Sequence, residues 1–375
     1  MKKILHIVAG MNLGGTETYL MNIYRNINHE KVQFHFLTYY ENNEYGYYDQ
    51  EILQLGGEIH NLTLVKKAGP VKALIEIRQL LKTENYWAVH AHTTYNIGFS
   101  MLAAKLEGIN IRIAHSHNTG VGKNSTFIKL IYQSFMRILI NKFANRFCAC
   151  SLKAAEHLFT SDNIEKNYTY IPNAVDLNKF LNNDCNNSKL KKEIKIPLDA
   201  KVIGHVGRYG KAKNHKFIIS MFNQLLKKKK DIYLILIGEG ATREDIEKQI
   251  DILGIGDNVK VLGLRTDIAE LMGIMDVFIL PSLYEGFGIV LLEAQSSGLP
   301  CIVSENIQPE PDMYLGLMNW VNLNDTEKWI TTIEENLDKK ITEKILLKKN
   351  IEQSPFQLKE VVDKFYKLYE IKGLI

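Results

Sequence analysis

Short apolar runs alternate with longer amphipathic stretches twice along this chain, and that alternation constrains the fold more than any other feature. In the first half the runs lie at 4–8, 32–37, 88–91, 111–116 and 147–151, with helical spacing of apolar side chains over 16–26, 71–82 and 97–106. In the second half the runs lie at 202–206, 232–237, 259–262, 277–280 and 301–304, with helical patterns at 217–227 and 243–253. Strands that are apolar on both faces are buried on both, and parallel strands joined by crossover helices supply that burial. The chain therefore reads as α/β, two doubly wound domains. At 375 residues and 46% apolar content it can bury two moderate cores. The seam is expected within 182–200, which is polar, lysine-rich and almost without aromatics, giving domains at 1–183 and 184–356. Over 357–375, Val361, Val362, Phe365, Tyr366 and Leu368 repeat helically, and this last helix is expected to cross back onto the first domain.

Residues 277–300, VFILPSLYEGFGIVLLEAQSSGLP, join a strand to a helix through a loop built on Pro281, Ser282, Gly286 and Gly288. The helical run stops near Gly298-Leu299-Pro300. Such a loop presents backbone N–H groups at a helix N-terminus, which favours an anion or a ring of hydroxyls. Glu285 and Glu293 frame it, eight positions apart. At about 100° per residue they fall roughly on one side of a continuous helix. Each carboxylate can accept two hydroxyl hydrogen bonds, which suits a polyhydroxylated ligand. The plainer reading is a solvated turn and a helix-face glutamate. Against it, Glu293 sits in an apolar helix, where a charge is costly without a partner.

The segment GHVGRYGKAKNHKF follows the strand at 202–206 and carries Arg208 and Lys213, five positions apart. A planar fork and a point charge suit a pyrophosphate, with a solvated basic loop as the alternative. Gly238-Glu239-Gly240 and Leu264-Arg265-Thr266-Asp267 end two further strands. In the first half, Gly14-Gly15-Thr16-Glu17 opens a helix straight after the first strand. The glycine pair allows a phosphate or sugar close to the backbone, or makes only a tight turn, and Thr16 is a candidate N-cap either way. His90/His92 and His115/His117 alternate along two strands, so both members of each pair point to one face. Imidazoles at i and i+2 can chelate zinc, but no carboxylate or cysteine adjoins them in sequence, and no metal is expected.

Taken together these motifs resemble the retaining glycosyltransferases of family 4, over nearly the whole chain. EGFGIVLLEAQSSGLP is similar to the family's Glu-x7-Glu segment, and Arg208 with Lys213 to its diphosphate-binding Arg and Lys. His117-Asn118 is similar to a histidine commonly followed by Asp, and Asn173-Ala174-Val175-Asp176 to an Asn-Gly-Val-Asp element. Alanine at 174 implies a backbone that needs no positive φ. The segment ENIQPEPDMY is most similar to capsular and exopolysaccharide-assembly members.

The resemblance implies the GT-B fold: two Rossmann-like domains facing across a cleft, with the C-terminal helix crossing back. It implies transfer of a sugar from a UDP-sugar, with retention of configuration, to a glycan or polyprenyl-linked acceptor in surface polysaccharide synthesis. Glu285 would meet the donor sugar, Glu293 the ribose, and the amides of Gly286, Phe287, Gly288 and Ile289 the sugar and phosphate. Arg208 and Lys213 would neutralise the leaving diphosphate, and Gly14, Gly15 and Gly238 would line the crevice. Leu264 and Arg265 would lie beside the base, and His117 would face the donor sugar and its phosphate. His115 would be structural, and Asn118 removes the role of the usual acid. No Asp-x-Asp occurs, so neither metal nor cofactor is expected, the nucleotide-sugar being a substrate. No protein base is assigned, because in such enzymes the leaving phosphate is thought to take the acceptor proton. Two other readings stay open: a nucleotide-sugar 2-epimerase of the same architecture, and a non-catalytic partner of another transferase.

Composition narrows the setting. Residues 1–180 hold 19 Lys and Arg against 14 Asp and Glu, and nine of the eleven histidines; the remainder holds 27 against 28. This favours an anionic or membrane-associated partner for the first half. Within 126–147, Lys129, Gln133 and Arg137 recur every four residues. That is either a core helix with one wet stripe or a surface helix meeting lipid head groups, the latter helped by Lys123, Lys142 and Arg146. Nucleic-acid motifs are lacking. Cys148, Cys150, Cys185 and Cys301 form no CxxC pair and read as buried thiols. The opening MKKILHIVAG breaks at Gly10 without a cleavage site and reads as a strand. With no run of 18 apolar residues, a cytoplasmic protein is expected, with peripheral contact at the inner face of the membrane.

Overall fold

The computed structural model describes residues 1–40, 46–62, 69–117, 126–181 and 187–371. Asn118, Lys123 and Cys185, and the readings attached to them, lie outside the described residues. Met1–Ala174 with Leu358–Ile375 form one unit, and Val175–Gln357 form a second.

In the first unit the strands are β1 (Lys2–Ile7), β2 (Val32–Thr38), β3 (Ile59–Asn61), β4 (Ala88–Ala91), β5 (Ile111–Ser116), β6 (Arg146–Ala149) and β7 (Tyr168–Tyr170). They run parallel in the order β3-β2-β1-β4-β5-β6-β7. The order reverses between β1 and β4, the crevice where doubly wound sheets take ligands. All of β2 is buried, as a strand covered on both faces must be. Its one amide, Gln33, is satisfied by donating to Tyr24 Oη at 2.6 Å and the Leu55 carbonyl at 2.9 Å.

Helix Leu358–Leu368 belongs to this unit and packs against helix Gly15–Asn26. Val361, Val362, Phe365, Tyr366 and Leu368 are its buried face. Beyond it, the Tyr369 carbonyl accepts from Trp87 Nε1 at 2.8 Å, and Glu370 pairs with Arg146. Helix Gly15–Asn26 begins two residues earlier than an N-cap at Thr16 suggests: Gly14 is its N-cap, in extended conformation, so Thr16 lies inside the helix.

The division between units falls at Ala174/Val175 and not within 182–200. Short helix Leu177–Leu181 explains the difference. It buries Leu177, Phe180 and Leu181 against helices Val290–Ser296, Ile268–Gly273 and Lys344–Gln353, all in the second unit. Ala174 itself has no positive φ.

The second unit comprises β8 (Lys201–Val206), β9 (Ile232–Ile237), β10 (Val259–Gly263), β11 (Val277–Leu280), β12 (Cys301–Ser304) and β13 (Met318–Val321). The parallel order is β10-β9-β8-β11-β12-β13, the Rossmann order, with its switch point between β8 and β11. Ile203, Phe222, Leu234, Ile279 and Trp329 lie in its core. The Trp329 indole N–H donates to the Asn322 carbonyl at 3.0 Å, so the largest core side chain leaves no polar atom unpaired.

Helix Phe127–Phe143 overturns the wet-stripe reading of 126–147. Gln133 lies on the buried face with Met136, Leu139 and Ile140, while Phe127, Ile128, Ile131, Phe135 and Ile138 are 51–79% exposed. Among the described residues no helix is long and apolar enough to cross a membrane.

Candidate functional site

The charged residues singled out in the second half gather at the C-terminal ends of β8 to β11, around the switch point. After β8 the chain turns through Gly207 and Arg208 into a 3-10 turn, Lys211–Lys213. After β11 it turns through Ser282 and Glu285, and the Leu283 amide donates to the Ala212 carbonyl at 2.8 Å, tying the two loops. The Lys213 stem lies over Gly207, where an added Cβ would sit 3.1 Å from Lys213 Cδ and Cε. Lys213 Nζ thereby reaches Glu285 Oε1 at 2.7 Å, and Ser282 Oγ donates to the same oxygen at 2.5 Å. Arg208 is exposed and makes no ion pair among the described residues.

Two glycines let the next loop come this close. Gly238 and Gly240 have φ of 137° and 154°, and a Cβ on either would collide with the carbonyl oxygen of Gly207 or Tyr209 respectively. The β8 and β9 loops are thus in backbone contact, sealed by Tyr209 N–H donating to the Glu239 carbonyl at 2.9 Å. After β10, Leu264 is exposed, and the Arg265 guanidinium forks onto Asp267 at 2.7 and 2.5 Å. That pairing commits the Arg265 side chain locally.

Glu293 lies on helix Val290–Ser296, behind the Glu285 loop. Burial raises its carboxyl to about 7, opposed by the charges of Lys179 and Lys213. The carboxyl accepts no hydrogen bond among the described residues. An unpaired, desolvated acid with two cations in its field is costly unless a ligand completes it. The helix has seven residues and no side-chain N-cap. Phe287 is buried against Phe356 at a ring separation of 5.6 Å, which leaves only its backbone for a ligand.

In the first unit, Gly14 and Gly15 follow β1, and the space a Gly14 Cβ would need is filled by the Glu17 carboxylate. His117 follows β5, with Nε2 2.9 Å from His92 Nδ1. Burial takes its pKa down to about 3, so it is neutral at physiological pH. His117 and the Glu285 cluster belong to different units.

The sequence model described as "Glycosyltransferase Family 4" matches residues 13–179, and "Glycosyl transferases group 1" matches 186–353. EpsF of Bacillus subtilis (strain 168) is 35% identical over 373 residues, 99% of this chain and 97% of its own length. The chain belongs to glycosyltransferase family 4. An Escherichia coli relative named UDP-Gal:alpha-D-GlcNAc-diphosphoundecaprenol alpha-1,3-galactosyltransferase is 29% identical over 327 residues, 82% of this chain and 81% of that one. The crystal structure of Anabaena Alr3699/HepE in complex with UDP-glucose superposes with a TM-score of 0.78 at 18% identity, over 99% of this chain and all of the other. This glycosyltransferase has the GT-B fold.

Three residues near these groups escaped the sequence reading. Lys179 enters the field of Glu293 from short helix Leu177–Leu181, which belongs to the second unit. His6 and Tyr369 bond to the histidines of the first unit. A histidine inside the otherwise apolar strand KKILHI was the available signal for His6; nothing local marks Tyr369.

Proposed function

We propose that this glycosyltransferase moves the sugar of a UDP-sugar, with retention of configuration and without a metal, onto a polyprenyl-diphosphate-linked glycan during surface polysaccharide assembly. The observation that carries the reading is the Lys213–Glu285 pair at 2.7 Å, beside the exposed Arg208, at the β8/β11 switch point. In the free enzyme the two charges satisfy each other; a diphosphate draws Lys213 away and leaves Glu285 to accept from sugar hydroxyls. As the C1–O bond to the β-phosphate breaks, negative charge grows on the departing UDP, and Lys213 and Arg208 meet it. The acceptor oxygen bonds to C1 on the face the UDP leaves, and its proton passes to the departing phosphate. Glu293 accepts from the ribose, the Gly286–Ile289 amides and Gly238 line the phosphate, and the Leu264–Arg265 backbone reads the base. The names of the similar E. coli and Anabaena proteins favour uridine and a diphospholipid acceptor.

The exposed apolar stripe of helix Phe127–Phe143, flanked by Lys129 and Lys142, supports peripheral contact with an anionic membrane, where such an acceptor resides. Co-sedimentation with phosphatidylglycerol vesicles, lost in Ile131→Asp and Phe135→Asp, tests that contact. The activity is tested by supplying UDP-galactose and UDP-glucose with undecaprenyl-diphosphate-GlcNAc in the presence of EDTA and reading the product by NMR. An α-linked product supports the reading. Epimerised nucleotide-sugar without transfer would replace it with the epimerase.

A further inference from the structure

At the edge of the first sheet, two imidazoles and a carboxylate converge on one point. Glu58 and His60, just before and within β3, are two residues apart and share a face. His60 stands in register with Leu37 of β2, and the Phe36 N–H donates to the Glu58 carbonyl at 2.8 Å, which sets Glu58 beside His35. His35 Nδ1 lies 3.6 Å, and His60 Nε2 3.5 Å, from the same Glu58 oxygen, Oε2. Tyr86 Oη, from the segment before β4, lies 3.4 Å from His35 Nδ1 and 3.1 Å from His60 Nε2.

The two carboxylate contacts are too long for good hydrogen bonds. They have the length of an edge between two ligands of one ion. Around a tetrahedral zinc with bonds of about 2.0–2.2 Å, neighbouring ligand atoms lie about 3.3–3.6 Å apart. Of the four separations here, three fall in that range and the Tyr86–His60 one, at 3.1 Å, is a little short. Two imidazoles with a carboxylate are a donor set that suits zinc.

Two other triplets, His6/His90/His92 and His92/His115/His117, are also close enough to share an ion. Neither includes a carboxylate to offset a dication, and their nitrogens lie 2.8–3.2 Å from one another or from Tyr369, at hydrogen-bond length. They occupy the opposite face of the sheet: His6 is in register with His90 and with Phe36, and Phe36 alternates with His35. The edge cluster differs in access too. The side chain of Glu58 is 50% exposed and that of His60 24%, over His35 at 2%, so an ion can enter from solvent and rest against the core. Lys3 and Glu84, the other charges in the field of His35 and His60, pair with each other at 2.7 Å.

We propose that His35, Glu58 and His60 bind one zinc ion, with Tyr86 Oη at the fourth corner, and that this ion fastens the edge of the first sheet. β3 has three residues and a neighbouring strand on one side only. The ion ties it to β2 and to the segment before β4. Glu58 and Tyr86 precede their strands, so the site lies away from the C-terminal strand ends where a doubly wound sheet takes ligands. It is a structural ion, with no part in the proposed transfer.

The test is titration of zinc into the full chain, freed of metal by chelation and dialysis, followed by calorimetry and melting. One zinc per chain is expected. At about a hundredfold excess over Kd it should raise the melting temperature of the first unit by about 5–10 °C. Cobalt(II) in its place should show the strong visible absorption of a four-coordinate ion. Glu58→Gln and His60→Gln alter partly exposed side chains, so both variants should keep wild-type turnover and lose the rise. Their affinity should fall by more than the about 10–100-fold that loss of a group behind a ligand costs. Each variant is compared with its own metal-free state, so a lower starting stability does not hide the result. A melting temperature that zinc leaves unmoved, or zinc binding that both variants retain, would overturn the site. Turnover that stops on chelation and returns with zinc in the wild type, but not in the variants, would overturn the structural role alone.

Discussion

Lowering the pH from 7 to 5.5 should unfold the first unit. Burial pulls His6 and His117 down to about 3, and His90, His92 and His115 well below their ordinary value. The unfolded chain binds a proton at each near pH 6.5, so below that pH the unfolded state holds more protons. The stabilisation is fully present above 6.5 and is lost as pH falls toward the folded-state values. From pH 7 to 5.5 each neutral histidine costs about 1.3 kcal/mol, and the five together about 6 kcal/mol. A domain is stable by about 5–15 kcal/mol in all, so the loss is enough to unfold it or bring it close. Calorimetry at pH 7.5, 6.5 and 5.5, in buffers of different ionisation enthalpy, gives both the stability and the protons taken up on unfolding. About five protons at pH 5.5 are expected from these histidines of the first unit, beyond those taken up by the buried His205 and His215 of the second, and His115→Leu should lower the uptake by about one. Uptake below about two protons, or a melting temperature level across this range, would refute the argument.

The two glutamates should fail differently. Glu293→Gln should mainly raise the donor KM and Glu285→Gln mainly lower kcat, because the ribose contact is equal in ground and transition states while the sugar gains charge. With its carboxyl at about 7, Glu293 should make kcat/KM rise with pH up to neutrality, a dependence that Glu293→Gln should flatten. Exhaustive chelation should leave turnover largely intact; a strict requirement for added magnesium or manganese would contradict the cation assignment. Gly240→Ala should lose about 3 kcal/mol or more in urea titration, since a Cβ there meets the Tyr209 carbonyl at φ 154°.

The sequence exposed the buried strands and one edge strand, β10, and hid the other three edges. β1, β2, β4, β5, β6, β8, β9, β11 and β12 are apolar runs, legible because a parallel strand covered on both faces has no polar side to disguise it. β3, β7 and β13 went unseen. All three lie at sheet edges, are short, and hold sequences such as IHN and YTY with little core to fill. The Lys213–Glu285 pair was half legible: each residue stood out beside a strand end, but their contact depends on loops joined through Leu283 and Ala212. The contacts of His6 and Tyr369 with His90 and His92 were hidden because they join separate strands and the end of the last helix, which no local pattern encodes. Helix Phe127–Phe143 misled because spacing shows which residues share a face, not which face is covered.

Turnover of Lys213→Ala at saturating UDP-sugar tests the central claim most directly, with the melting temperature checked against wild type. Lys213 is placed to meet charge that appears only as the diphosphate departs, so saturation cannot restore what its loss removes. A fall in kcat of about a hundredfold is predicted, the usual cost of one such contact. Near wild-type turnover in a folded variant would contradict the account.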